Sequence, residues 1–302
     1  MYVQIFFKLW KKIFSRIKTL MSEIRMQIEN EKKSQNEGNY TTSAFTKYPL
    51  LVSRFKELIS SARSPYHYYA WGALCGADLA KELKIPRISL IEMGVAGGNG
   101  LVALERIAVE LEKIYDIKID VYGFDTGHGL PKPKDYRDCP NQWEEGFYPM
   151  NEEALRSSLK KAQLILGPLN NTIESFIKLN PVPIAFIGFD VDYYSSTIDA
   201  FKLLDGSEAL FLPRVQLYFD DIMGYSYGDF TGERLAIAEF NNEHASRKIS
   251  NQYGLRYFVK DFYSMWPDMM YIFHIFDHHL YTQRDGMIQP RGSLLPLTKH
   301  HL

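Results

Sequence analysis

The sequence lacks several features that mark particular classes of protein. Only two cysteines, Cys75 and Cys139, occur among 302 residues, which excludes a disulfide framework and favours a reducing, cytoplasmic setting. No run of about 20 uncharged apolar residues is present, so no membrane-spanning helix is predicted. The formal net charge of −1 lacks the basic excess on which broad nucleic-acid binding depends. What remains is a globular protein, and 46% hydrophobic residues in a chain of this length suit one large domain with additions.

The first 46 residues differ from the rest and are predicted to form a separate segment. Residues 1–26 can place their apolar side chains on one helical face. Their basic residues outnumber the single acidic residue, Glu23. Such a helix can lie on an anionic membrane surface, dock on a protein surface, or belong to an extension upstream of a start at Met21. Lysines interrupt its apolar part, so it is not a secretory signal. Residues 29–46 are polar and are expected to be a linker.

Residues 88–277 alternate between short apolar runs and amphipathic stretches, and two helices are expected ahead of them, within residues 47–84. The predicted strands are 88–93, 120–125, 163–166, 184–190, 215–219, 255–260 and 269–276. This alternation predicts an α/β fold with a mostly parallel sheet and helices on both faces. The connection between the last two strands is too short for a crossover, so the last strand is expected to be antiparallel. Residues 278–302 are expected to form an irregular tail.

A glycine-rich loop follows the first predicted strand and leads into a helix. The sequence ISLIEMGVAGGNG (88–100) contains Gly94, Gly97 and Gly98, which allow sharp turns and close approach to a ligand. The next strand ends at Asp125, where an acid binds the ribose of a nucleotide-like cofactor in a βαβ unit. A tight strand-to-helix turn and a turn-forming aspartate are the alternatives. Residues 98–103 also fit a dinucleotide fingerprint, but they begin too far from the strand, which disfavours NAD.

Four aspartates follow two strands that are expected to be neighbours. Asp190 and Asp192 come after the fourth strand, and Asp220 and Asp221 come after the fifth. Parallel strands bring their carboxyl ends together, and carboxylates placed so closely repel one another unless a cation joins them. Such oxygen ligands suit Mg²⁺ or another divalent cation. The alternative is that some of the aspartates only cap helices, as Asp192 could.

These motifs carry a resemblance to known proteins. The loop pattern E-x-G-x-x-G-G-x-G, which begins at Glu92, resembles the first motif of class I S-adenosylmethionine-dependent methyltransferases. Across residues 88–248, the order of the motifs is similar to that of macrocin-type sugar O-methyltransferases, a metal-dependent family. The motifs are GFDTGHGLP (123–131), LILGPLNNT (164–172), FDVDYYSSTIDAFKLL (189–204), YFDD (218–221) and GERLAIAEFNNEH (232–244). The resemblance implies a Rossmann-like class I methyltransferase sheet of seven strands in a domain spanning 47–277, with S-adenosylmethionine as cofactor and Mg²⁺ or another divalent cation.

The resemblance also implies roles for individual residues. Asp190, Asp220 and Asp221 would hold the metal, and Asp192 would be the catalytic base that takes the proton of the acceptor hydroxyl. The cofactor-binding residues would be Glu92, Gly94, Gly97, Gly98, Asp125, Gly167, Leu169 and Asp190. The chain departs from the family at residues 206–214, before the fifth strand, and at His128. These departures concern loop shape and leave the identity of the acceptor open.

The expected function is therefore metal-assisted O-methylation of a hydroxyl on a sugar or another small molecule. A long insertion, residues 127–160, carries several aromatic residues and prolines and is expected to form a lid over the acceptor. Two alternatives stay open: an S-adenosylmethionine-binding protein without transfer activity, and an NAD-dependent oxidoreductase. No nucleic-acid partner is expected, and the sequence leaves homo-oligomer formation open.

Overall fold

The structure is a computed structural model that describes residues 43–224, 228–259 and 264–283, with side chains described from residue 49 onward. The predicted amphipathic segment, 1–26, lies outside the described residues, as does the tail beyond residue 283. The described residues from Lys47 onward belong to one compact unit. Within them, no helix is both long and apolar enough to cross a membrane.

A seven-stranded sheet forms the centre of this unit. Its strands are β1 Arg87–Met93, β2 Lys118–Asp125, β3 Gln163–Leu166, β4 Ile184–Phe189, β5 Phe211–Phe219, β6 Arg247–Asn251 and β7 Met270–Ile275. The spatial order is β3-β2-β1-β4-β5-β7-β6. The first five strands are parallel, whereas β7 runs antiparallel to both β5 and β6. This arrangement confirms the predicted Rossmann-like sheet of seven strands with an antiparallel last strand.

Eight helices connect or precede the strands in the described part of the chain. They are α1 Ser43–Ala62, α2 His67–Glu82, α3 Asn99–Tyr115, α4 Glu152–Ser158, α5 Leu169–Lys178, α6 Tyr194–Phe201, α7 Gly232–Glu243 and α8 Leu255–Val259. Helix α2 packs against α3, while α6 packs against α5 and α7. The central strand β4 is buried along its whole length because helices cover the sheet, so its sequence is a continuous apolar run with no polar face.

The sixth strand was predicted in the wrong place. Residues 255–260 were expected to be a strand, but residues 255–259 form the short helix α8, and β6 lies earlier, at Arg247–Asn251. Strand β6 is at the edge of the sheet, and Ile249 is its only buried residue. An edge strand with so little apolar pattern gives a weak signal, whereas a short apolar run fits helix and strand equally.

Strand β5 is longer than predicted, because it begins at Phe211 rather than at residue 215. Pro213 lies inside this strand, and proline normally argues against a central strand because it cannot donate a ladder hydrogen bond. The pairing with β4 is irregular at this point: Ile184 pairs with Phe211, but Phe186 pairs with Gln216. The irregular pairing therefore coincides with the position of the proline. The regular part of β5 ends at Phe219, directly before Asp220 and Asp221.

Candidate active site

A cavity of about 270 Å³ opens at the carboxyl edge of the sheet, where β1, β2, β4 and β5 end. Its wall includes the glycine loop, Asp125, the predicted lid and all four aspartates that follow β4 and β5. The order of the strands explains this placement, since β1 lies between β2 and β4, and β5 lies beside β4. The cavity is therefore at the edge where ligands bind in open α/β sheets.

The glycine loop presses against the end of β4. Gly94 has φ +85°, and a Cβ at this position would lie 1.7 Å from the backbone oxygen of Asp190. The amide of Gly94 donates to the oxygen of Phe124 at 2.9 Å, and the amide of Asp190 donates to the oxygen of Met93 at 2.8 Å. Only glycine fits here, so the start of the loop and the aspartate after β4 are in direct main-chain contact.

The carboxylate of Asp125 binds the glycine loop. Its Oδ2 accepts hydrogen bonds from the amides of Val95 and Ala96 at 2.8 and 2.9 Å, and its Oδ1 accepts from the amide of Gly127 at 2.6 Å. A carboxylate has about four acceptor sites, so part of its capacity is still free toward the cavity. Asp125 thus lines the cavity and holds the glycine loop in place, and its contact with a ribose stays a prediction.

Glu92 lies behind the loop rather than on the cavity wall. It is buried, and its Oε1 accepts a hydrogen bond from the hydroxyl of Tyr69 at 2.7 Å. Its Oε2 has no hydrogen-bond partner among the described residues. A Cβ at Gly100 would lie 1.9 Å from Oε1, so the first turn of α3 packs directly on this carboxyl. Burial raises the pKa of Glu92 to about 8.

Of the other predicted cofactor residues, Gly97, Gly98, Gly167 and Leu169, only Leu169 lines the cavity. Gly167, with φ +135°, donates its amide to the oxygen of Asp125 at 2.9 Å. Gly97 has open space where its Cβ would be, whereas a Cβ at Gly98 would lie 2.2 Å from Leu155 in α4. Gly98 therefore packs against the insertion, and its side of the loop does not face the cavity.

Three of the four aspartates form one group. Asp190, Asp192 and Asp221 each offer a carboxylate oxygen, and these oxygens lie within 4.8 Å of one another. Asp220 also lines the cavity, but its Oδ1 accepts a hydrogen bond from the hydroxyl of Tyr218 at 2.5 Å, and it is not part of the group. Helix α6 has Tyr193 at its N-cap position, and the side chain of Tyr193 makes no capping hydrogen bond. Asp192 is therefore not the helix cap that the sequence left as an alternative.

The electrostatics of this group favour a bound cation. Burial, and after it the charges of Asp221 and Asp220, raises the pKa of Asp192 to about 8. Asp190 is accessible from the cavity. The protein atoms packed around its carboxyl group remove water from it, and this desolvation, followed by the charges of the neighbouring aspartates, raises its pKa well above the usual value. A divalent cation would relieve this repulsion, and carboxylate oxygens are the ligands that Mg²⁺ and Ca²⁺ prefer. The donor set thus fits the implied metal.

The insertion after β2 forms one side of the cavity, through Leu130, Trp143, Phe147 and Tyr148 among others. Two buried carboxylates that the sequence analysis did not single out attach it to the domain. Asp138 accepts from the amide and hydroxyl of Ser195 in α6 at 2.8 and 2.9 Å and from the amide of Lys134 at 2.7 Å.

The second anchor of the insertion is Glu105 in α3. Its carboxylate accepts hydrogen bonds from the amides of Lys160, Lys161 and Ala162 at 2.7 to 3.2 Å. A signal for Glu105 was present in the sequence, because it shares a helical face with the apolar Leu101 and Ala108. A charged residue on the buried face of a helix indicates a carboxylate with specific partners.

A second cluster that could hold a metal, Glu208, His278 and His279, lies away from the cavity. His278 uses both ring nitrogens within the protein: Nε2 contacts the oxygen of Phe211 at 3.1 Å, and Nδ1 accepts from the amide of Leu280 at 2.9 Å. Since Nδ1 accepts, Nε2 carries the proton and donates, which leaves no lone pair for a metal. These contacts indicate a structural role for His278.

Comparisons with known proteins add a likeness in fold. No protein-family model matches the chain, and no curated protein sequence matches it. Among solved structures, the chain is similar to the calicheamicin methyltransferase CalS11, with 18% identity, a TM-score of 0.43, and coverage of 68% of this chain and 88% of that one. It is similar to an O-methyltransferase from Bacillus cereus in complex with SAH, with 13% identity, a TM-score of 0.38, and coverage of 81% and 96%.

A third similar structure is the MycE methyltransferase of the mycinamycin biosynthetic pathway, in complex with Mg, SAH and mycinamycin VI. The identity is 14% and the TM-score 0.36, and the match covers 73% of this chain and 54% of that one. All three are methyltransferases, but likenesses of this degree assign no activity to the chain. Its function has to be argued from the residues of the cavity.

Proposed function

We propose that the protein is an S-adenosylmethionine-dependent methyltransferase that uses a divalent cation to methylate a hydroxyl group of a small molecule such as a sugar. One observation carries this proposal: the glycine loop and the aspartate group share one cavity and touch through Gly94 and Asp190. A methyl donor held by the loop and a hydroxyl held at the carboxylates would be neighbours. Placing the two reactants together supplies much of the rate enhancement of a group transfer.

The cavity residues fit the methyl donor. Leu169 offers apolar surface for a base, and Asp125 and Thr126 offer polar groups for a ribose. The carboxylates give this part of the protein a negative field, which suits the positive charge of a sulfonium. No basic side chain lies among the described residues of the cavity wall, so nothing there would oppose that charge.

In the proposed mechanism, Asp190 and Asp221 would hold the cation together with Asp220, which lines the same cavity outside the carboxylate group. Asp192 would accept the proton of the acceptor hydroxyl. When bound, the cation would act as a Lewis acid that makes the hydroxyl easier to deprotonate. The carboxylate of Asp192 lies within 4.8 Å of those of Asp190 and Asp221, so an acceptor held there is within its reach. The insertion forms one side of the cavity, and its aromatic residues Trp143, Phe147 and Tyr148 offer flat surfaces on which a ring could lie.

Two other functions predict different behaviour. A binding protein without transfer activity would bind S-adenosylmethionine and never release S-adenosylhomocysteine with any acceptor. An NAD-dependent oxidoreductase would bind NAD, but the contact of Gly98 with Leu155 turns the start of the dinucleotide fingerprint away from the cavity. Calorimetric titration with NAD and with S-adenosylmethionine distinguishes the oxidoreductase from the methyltransferase, and we expect binding of S-adenosylmethionine alone.

The test of the metal has two parts. With a panel of small hydroxylated acceptors, release of S-adenosylhomocysteine should stop in chelator and return when Mg²⁺ is restored. Full activity in excess chelator would remove the cation from the mechanism.

The second part is a matched pair of variants titrated with Mn²⁺. Asp220→Asn should weaken Mn²⁺ binding, whereas Asp192→Asn should leave it and slow transfer about 10²- to 10⁴-fold, as expected for loss of a general base. The reverse pattern would make Asp192 a ligand, in line with its place in the carboxylate group, and would exclude it as the base.

A further inference from the structure

Glu233, in the first turn of α7, is a buried acid with no role in the mechanism above. Its side chain is fully inaccessible to solvent. No lysine or arginine of the described residues forms an ion pair with it, and its charged neighbours are the acids Asp221, Asp190 and Asp220. Glutamate is almost never fully buried without a partner, because removing its charge from water is costly. A residue kept at such a cost calls for a specific reason.

Its contacts connect it to the carboxylate group. Oε2 of Glu233 accepts a hydrogen bond from the backbone amide of Asp221 at 3.0 Å. Oδ2 of Asp221 in turn accepts from the backbone amide of Asp192 at 3.0 Å. Two consecutive hydrogen bonds therefore join the start of α7, the turn after β5 and the segment after β4. The connection includes the carboxylate of Asp221 and ends at the backbone of Asp192.

The backbone at Asp221 shows why an anchor is needed there. Residues 220–222 form a short 3-10 turn, and Asp221 departs from helical geometry, with φ −95° and ψ 24°. The amide of an irregular turn has no partner in a helix or strand, and a buried amide needs an acceptor. Glu233 supplies that acceptor and thereby fixes the direction in which the side chain of Asp221 leaves the main chain.

A purely structural role explains less. An acid in the first turn of a helix is favoured by the helix dipole, but that effect needs no burial and no particular partner. Oε1 of Glu233 has no hydrogen-bond partner among the described residues, so the local packing does not satisfy the group completely.

We propose that Glu233 is a positioning residue of the cation site, which orients Asp221 toward Asp190 and Asp192 through the backbone amide of Asp221. The inference rests on the cation of the proposed function. It predicts that the reach of the side chain to that amide, rather than its charge, determines the affinity for the cation.

Two conservative variants of the full chain separate reach from charge. Glu233→Gln keeps the length of the side chain and an acceptor oxygen, and Glu233→Asp keeps the charge but is one methylene shorter. Calorimetric titration with Mn²⁺ should give an affinity within about threefold of wild type for Glu233→Gln and at least about tenfold weaker for Glu233→Asp, as for loss of one buried hydrogen bond. Glu243→Gln, an exposed position on the same helix, is the control and should bind like wild type.

The electron paramagnetic resonance spectrum of bound Mn²⁺ gives a second readout, because a change in the ligand geometry alters the spectrum while a change in stability does not. Equal Mn²⁺ affinities in both variants would contradict the positioning role, and so would a weaker affinity in Glu233→Gln than in Glu233→Asp. If the wild type binds no Mn²⁺, the cation of the proposed function is wrong and this role falls with it. If the wild type binds and the two variants do not differ, only the role of Glu233 is wrong.

Discussion

Asp125 joins the glycine loop to the end of β2 through the amides of Val95, Ala96 and Gly127. Each such bond to a carboxylate is worth about 1.5–3 kcal/mol. We expect Asp125→Ala to weaken S-adenosylmethionine binding at least about tenfold in calorimetry, because the variant loses a ribose acceptor and the support of the loop. Asp120→Ala, at the opposite end of the same strand, is the control.

The two contributions of Asp125 can be separated with a 2′-deoxy analogue of S-adenosylhomocysteine. If the carboxylate binds the ribose, the analogue should bind the wild type more weakly than the parent compound, and this difference should shrink in Asp125→Ala. An undiminished difference would leave Asp125 as a support of the loop only. Unchanged affinity for the parent compound in a folded variant would exclude both roles.

Single residues also show where prediction from the sequence ends. The aspartates after β4 and β5 could be placed at one cavity because adjacent parallel strands end at the same edge. The direction of Asp220 could not be predicted, since it depends on the 3-10 turn that aims its Oδ1 at Tyr218. The support that Asp125 gives to the loop was hidden for the same reason, because its partners are backbone amides of segments whose path the sequence does not specify.

At the scale of elements, the insertion of residues 127–160 is attached to the domain by buried side chains. Asp138 is almost inaccessible, and it accepts three hydrogen bonds from Ser195 and Lys134. In Asp138→Ala, the amide of Ser195 would lose its acceptor, at a cost of about 1–3 kcal/mol. We expect faster hydrogen exchange across the insertion and unchanged exchange in the central strands, measured by mass spectrometry.

Controls for this prediction lie close by. Asp135→Ala removes an exposed carboxylate from the same turn and should leave the exchange unchanged outside that turn. Ser195→Ala removes one of the three hydrogen bonds and should have a smaller effect than Asp138→Ala. Equal exchange in Asp138→Ala and wild type would show that the insertion is held by other contacts.

Elements differ in how well their sequences specify them. The buried strands β1 and β4 were predicted almost to the residue, since each apolar run is bounded by turn residues and is followed by an amphipathic helix, as the inner strands of an α/β sheet are. Strand β6 was missed because it pairs only with β7 and has one buried side chain. Its position depends on tertiary pairing, and that information lies in β7 rather than in its own residues.

For the whole molecule, the buried acids make stability depend on pH. The folded state raises the pKa of Glu92 from 4.5 to about 8, because burial disfavours the charged form. The folded protein therefore keeps a proton that the unfolded chain has released, and the contribution of this group to stability is lost as pH rises from about 4.5 to about 8. One proton corresponds to a slope of at most about 1.4 kcal/mol per pH unit.

We therefore expect the loss of stability between pH 5 and pH 8.5, measured by urea unfolding in chelator, to be smaller in Glu92→Gln than in wild type, with pH values chosen to bracket the transition at about 8. Glutamine keeps an acceptor for Tyr69 and has no charge to bury. Glu153→Gln, at an exposed position, should keep the wild-type slope. Parallel curves for Glu92→Gln and wild type would show that Glu92 is already ionised in the folded protein at pH 5.

The contact between Gly94 and the backbone of Asp190 has a consequence for how such a protein can diversify. Because main-chain atoms meet there, substitutions elsewhere in the two segments cannot change the spacing between the glycine loop and the backbone of Asp190. The insertion, by contrast, meets the cavity through side chains and is attached at a few points, so its sequence is free to vary. If the protein is the proposed methyltransferase, new acceptors could thus be accommodated by substitutions in residues 127–160, while the glycine loop and the aspartates stay the same.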